Sequence, residues 1–188
     1  MKKMNWIFAS LLLLASSSSV LAQPDKPAAY RPAGQVADEW ITRSETQLVA
    51  VADAMPADKY SFAPTSGEFR GVRNFARQVK HVAAANYLCA AGIFGEQAPA
   101  DAADERGPDS ARTKAEIIKY LKDSFVYLHK AVATIDEKNA FEPIKSPVGQ
   151  DKQTRIGLAA AALAHSYNHY GQMVEYLRMN GIVPPASQ

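Results

Sequence analysis

Two histidines, His165 and His169, stand four residues apart in the segment LAHSYNHYGQMVEYLRMNGIVPP, Leu163 to Pro185. The segment has a helical pattern. At about 100° per residue, Leu158, Ala162, His165, His169, Met173 and Tyr176 share one arc, and Asn168, Gly171, Glu175 and Arg178 take the opposite side. The imidazoles therefore face inward. Ring nitrogens on adjacent turns, with Cβ atoms roughly 5–6 Å apart, can converge on one transition-metal ion at about 2.0–2.1 Å from each. A third ligand must then come from elsewhere. The same pair also suits a packing role, and spacing alone leaves both readings open. One chemistry is excluded: the zincin motif needs Glu directly after its first His as general base, and this chain has Ser166 there.

Other reactive side chains are few. His81 falls within an apolar arc made by Val72, Phe75, Val79, Val82, Ala85, Leu88 and Cys89. An inward histidine beside small neighbours leaves room for a bound group. His129 lies at the edge of the stripe Ile117, Leu121, Phe125, Leu128, Val132 and Ile135, and reads as a boundary residue half in water. Cys89 is the one cysteine of the chain, so an intrachain disulfide is excluded. Within VAAANYLCAAG it reads as a small buried hydrophobe rather than a nucleophile.

These residues need elements to position them. Residues 1–22 read as a signal peptide, with Lys2 and Lys3 ahead of the apolar run Trp6 to Ala15 and the cleavage site Val20-Leu21-Ala22. Export to the periplasm or beyond is the expectation. No cysteine follows the cleavage site to carry a lipid, and no later stretch approaches the roughly 18 apolar residues of a membrane span. Taking Lys2 and Lys3 from the 21 basic residues leaves 19, which balance the 19 acidic ones. A neutral mature chain lacks the basic excess that marks partners such as nucleic acid or an anionic membrane.

Residues 23–34, with Pro24, Pro27 and Pro32, read as a flexible leader before a domain at 35–185. A first helix from Gln35 to Met55 should bury Val36, Trp40, Leu48, Val51 and Met55, with Ile41 and Ala52 beside them. Pro56 ends it. The loop Ala57 to Phe69 should lay Tyr60 and Phe62 over the core. A second helix follows from Arg70 to Phe94, and a third from Ala111. The Ala-, Asp-, Gly- and Pro-rich stretch between them is long enough to cross the whole bundle, which would make the second and third helices parallel. Asn139 to Lys152 reads as a loop, and a fourth helix runs from Gln153 to Asn180, with Gly181 as left-handed cap and Pro184-Pro185 beyond. No segment alternates like a strand. The fold class is all-α, a four-helix bundle with a long crossover between helices two and three.

In that order and spacing the chain resembles the DinB superfamily, the DinB/YfiT-like metalloenzymes. Their H-x-x-x-H-R-G-Q pattern stands here as His165-Ser166-Tyr167-Asn168-His169-Tyr170-Gly171-Gln172, with Tyr170 in place of the usual Arg. YSFAPTSG at Tyr60 to Gly67, KHVAAANY at Lys80 to Tyr87 and YLRMNGIVPP at Tyr176 to Pro185 are similar to other family segments, so the likeness spans Gln35 to Pro185. The resemblance implies a metal triad of His81, His165 and His169 with a position open to water or substrate. It also implies a divalent cation as cofactor, whose identity among zinc, nickel, iron, copper and manganese these ligands do not distinguish.

Two functions follow. In the first, the chain is a metal-dependent transferase or hydrolase acting on an unknown small molecule, with Gln172, Tyr176 and Asn168 as supporting groups. Thiol transfer is awkward outside the cell, where reducing thiols are scarce. In the second, the bundle is an exported protein that holds a metal or ligand without turnover. Relatives that pair through bundle helices make a homodimer the expected assembly.

Overall fold

A computed structural model describes residues 30–147 and 152–188. The expected signal peptide and most of the leader lie outside the described residues, as do positions 148–151 of the loop before the fourth helix. Residues 31–188 pack as one compact unit. It contains four long helices: α1 (Ala33–Ala54), α2 (Phe75–Phe94), α3 (Lys114–Val132) and α4 (Arg155–Met179). None of the described helices is long and apolar enough to cross a membrane.

Their ends follow local chemistry. α2 starts at Phe75 rather than at Arg70 because Asn74 accepts the Arg77 N–H as N-cap, and Gly71 just before it has φ +78°. Val72 is consequently off the helix and exposed. α3 starts at Lys114, after Thr113 rather than at Ala111, because Thr113 and Glu116 form a reciprocal capping box. α4 is capped by Thr154, which accepts from the Gly157 N–H. At its far end Gly181 takes φ +70° and the Ile182 N–H returns to the Leu177 carbonyl, the expected left-handed stop.

Side-chain pairs set the helix directions. Lys114 meets Asp53, while His129 meets Asp38 and Glu45, so α1 and α3 run antiparallel. Gln78 meets Gln172 and Gly92 faces Leu158, so α2 and α4 do too. Tyr87 stacks beside Tyr120 and Tyr127, and Phe94 beside Tyr127, which makes α2 and α3 parallel. The crossover therefore does return the chain along the length of the bundle.

The core joins Ile41, Leu48, Val51 and Met55 of α1 to Phe75, Val79 and Val82 of α2, the whole α3 stripe, and Leu158, Met173 and Leu177 of α4. Tyr60 and Phe62 close one end as expected. The Tyr60 hydroxyl donates to the Ala52 carbonyl at 2.7 Å, and the Phe62 ring meets Tyr176 edge-on. Two further expectations fail. Val36 and Trp40 are 39% and 47% exposed, because the buried face of α1 runs through Ile41, Ser44 and Leu48 instead. The loop before α4 also contains a short antiparallel pair, β1 (Pro143–Lys145) and β2 (Lys152–Thr154), too short to leave an alternating pattern in the sequence.

Candidate metal centre

His81 lies in the second turn of α2, and His165 and His169 lie on successive turns of α4, the antiparallel neighbour. Antiparallel packing turns the two arcs toward each other. The three rings meet at centroid distances of 4.8 Å (His81–His165), 4.7 Å (His81–His169) and 4.4 Å (His165–His169), all edge-on. One nitrogen from each lies within 4.8 Å of the others, and the Nε2 atoms of His81 and His165 are 3.0 Å apart. Nitrogens on a tetrahedral ion are separated by about 3.3 Å for bonds of 2.0–2.1 Å. Small shifts of the rings would satisfy that geometry.

Two of the three rings are held from behind. A carbonyl can only accept, so His81 Nδ1–H donates to the Glu105 carbonyl at 2.9 Å, leaving a lone pair on Nε2. His169 Nδ1–H donates to Gln78 Oε1 at 2.7 Å, and Gln78 in turn donates to Gln172 Oε1 at 2.8 Å. Metal-binding histidines are typically oriented by such outer bonds. The third ring, His165, keeps a buried Nδ1 with no hydrogen-bond partner among the described residues. An orphaned ring nitrogen in this cluster is compatible with a role as ligand.

The electrostatics agree. His81 and His169 are 4% and 5% exposed. Burial lowers the pKa of all three: that of His81 falls below the ordinary imidazole value, that of His165 falls to about 4, and that of His169 to about 3, with the charge of Arg73 adding to each effect. All three are neutral at pH 7 and so able to ligate.

A model of the DinB superfamily matches residues 41–173. The chain belongs to the DinB superfamily. The match takes in all three histidines and the crossover; no curated protein matches the chain significantly. The Gln of the DinB pattern, Gln172, has a physical role here, holding Gln78 so that Gln78 holds His169. Tyr170, in the place of the usual Arg, is half-buried against the core, its ring edge-on to Tyr167.

Other expected residues part from the site. Tyr176 donates to the Arg73 carbonyl at 2.9 Å and braces the segment before α2, while Asn168 is exposed and accepts from Gln172 at 3.5 Å. His129 lies apart from the triad, bridging Asp38 at 2.5 Å and Glu45 at 3.1 Å with its side chain 25% exposed, as a boundary residue should be. The Cys89 thiol is pushed up to about 12 by burial, which removes it as a nucleophile. Gln78 and Glu105 were missed in the sequence. Gln78 carried a signal, an amide one turn before His81 within an apolar arc; Glu105 carried none, because its backbone does the work.

Proposed function

We propose that His81, His165 and His169 hold one divalent transition-metal ion with a coordination position open to water or substrate, and that the chain is a metal-dependent enzyme acting on a small molecule by thiol transfer or hydrolysis. The observation that carries this reading is the convergence of three neutral ring nitrogens from two antiparallel helices, two of them oriented from behind. Three imidazoles match a catalytic site that keeps a free position better than a closed structural one. When bound there, a divalent ion supplies Lewis acidity, lowering the pKa of a coordinated thiol or water.

The chain's own groups supply orientation. Gln172 and Gln78 lock His169, and Glu105 locks His81, so both rings present their lone pairs without rotational freedom. Around the triad, the described hydrogen-bond partners are amides and a carbonyl; the Glu105 carboxylate lies 3.6 Å from His81 Nδ1, the nitrogen that the Glu105 carbonyl already holds. That lack of a positioned proton acceptor favours a second reading, in which the bundle binds a metal or ligand without turnover.

The two readings separate by experiment. Purified protein is stripped with a chelator, reloaded with zinc, nickel, iron or manganese, and assayed against thiol-transfer, ester and amide panels. Metal-dependent turnover that vanishes in His165→Ala supports the enzyme. One equivalent of bound ion with no reaction in any panel supports the binding protein, and no binding at all overturns both.

A further inference from the structure

The crossover between α2 and α3 contains one unusual residue. Glu105 has φ +59°, and among the described residues it is alone outside glycine in having positive φ. A residue with a Cβ disfavours that left-handed region, so its neighbours must hold it. The Glu105 N–H donates to the Ala102 carbonyl at 3.0 Å, and Ala102 is fully buried. On the other side Arg106 grips Asp104 twice, through its backbone N–H at 3.0 Å and its Nε at 2.8 Å. The consequence is directional: the main-chain carbonyl of Glu105 points at His81 and accepts from Nδ1–H at 2.9 Å.

The loop is latched just beyond this contact. Lys80 Nζ donates to the Pro108 carbonyl at 2.6 Å, and Gly107, with φ +70°, lies so close that a Cβ there would be 3.1 Å from Lys80 Cβ and from the Tyr120 ring. One strained turn of a surface loop is thus fastened to the residues around a buried imidazole. Strain of this kind persists only where the surrounding structure over-determines it.

We infer that the crossover is a positioning element of the histidine site: the left-handed backbone of Glu105 fixes His81 as its Nδ1–H tautomer and aims its Nε2 lone pair at His165 and His169, so that ion uptake and closure of the crossover on α2 are linked. The linkage half rests on the metal reading above; the tautomer half does not. Coupling of this kind is reciprocal, so an ion that needs the aimed ring also holds the loop down.

The test compares the full chain with Glu105→Gly and Glu105→Pro. Glycine takes φ near +60° freely and keeps the carbonyl while removing the carboxylate. Proline is locked near −65° and lacks the N–H that reaches Ala102. Three quantities are read: the tautomer of His81 by ¹⁵N NMR of the imidazoles, zinc affinity by titration, and trypsin cleavage after Arg106 with and without zinc. The parent and Glu105→Gly should show the Nδ1–H tautomer, zinc affinities within about threefold of each other, and zinc-slowed cleavage. Glu105→Pro should lose the tautomer, bind zinc about 10–100-fold more weakly and be cut at the same rate with or without zinc.

If Glu105→Pro does not fold, the exposed clamp is released instead by Asp104→Ala, which removes both bonds from Arg106, keeps the Arg106 cleavage site and should shift the same readouts in the same direction. A parent His81 protonated on Nε2, a clamp-breaking variant that keeps both tautomer and affinity, or a Glu105→Gly loss as deep as that of proline would each overturn the inference. A parent that takes up no ion overturns the metal reading, and the tautomer comparison still decides the role of Glu105.

Discussion

At the scale of single residues, the triad differs from the fourth histidine by what stands behind each ring. His81 and His169 have their outer nitrogens tied to a carbonyl and an amide, whereas His129 spends both nitrogens on the carboxylates of Asp38 and Glu45. Replacing His81, His165 or His169 by Ala should therefore reduce divalent affinity by far more than a surface change, while His129→Gln should stay within a few-fold of the parent. Equilibrium metal titration of each variant, with circular dichroism to confirm helicity, checks this. Acid should act through the same rings. In the unfolded chain they take up protons near pH 6.5, but in the fold burial delays this to about pH 4 for His165 and about pH 3 for His169. Between those limits the unfolded chain holds more protons, so stability is fully present above about 6.5 and is lost as pH falls. Urea midpoints of chelator-treated protein should drop steadily from pH 7 to pH 4.5; a flat profile would contradict the burial of the rings.

At the scale of elements, close approach depends on two glycines that differ in what they face. A Cβ on Gly34 would lie 2.4 Å from the Val132 carbonyl and 2.6 Å from that of Ile135, both rigid backbone at the end of α3. On Gly92 it would meet the terminal Cδ1 of Leu158 at 2.6 Å and Pro147 at 3.1 Å, atoms at the rim of side chains. Gly34→Ala should thus cost about 1–3 kcal/mol, the range for overpacking, while Gly92→Ala should cost less because Leu158 can rotate. For a chain of this size each kcal/mol lowers Tm by about 2–4 °C. Thermal unfolding of the two variants side by side gives the order, and equal shifts would mean that the start of α1 yields as readily as a leucine rotamer.

At the scale of the molecule, an ion held by the triad would cross-link two helices far apart in sequence, through His81 on α2 and His165 with His169 on α4. An ion bound there binds the folded chain and not the unfolded one. At a free concentration 100 times its Kd it should add about 2.7 kcal/mol of stability, read as a rise in Tm that disappears in His165→Ala. We also expect the mature chain to be exported, to the periplasm or beyond. Mass spectrometry of the exported product should find Gln23 as the first residue, and a product beginning at Met1 and retained in the cytoplasm would refute the signal peptide.

Sequence alone located the four helices and set His81, His165 and His169 on apolar arcs, because both rest on local periodicity; grouping the three as one metal triad came from the family resemblance. An i,i+4 pair must share a face whatever it packs against, and the apolar arc through Phe75, Val79, Val82 and Leu88 contains His81. The crossover was legible in the same way, since nineteen residues without a strong apolar period, 95–113, suffice to span the bundle. What stayed hidden depended on contacts between distant segments. α1 carries apolar residues on more than one arc, and only packing against α3 and α4 decided that Ile41 is buried and Trp40 is exposed. Glu105 reads as a solvated acid in a loop, because the group that matters is a carbonyl that every residue possesses. Its role arises only when the tertiary structure bends that loop into a left-handed turn and lays it against His81, a direction that side-chain chemistry does not encode.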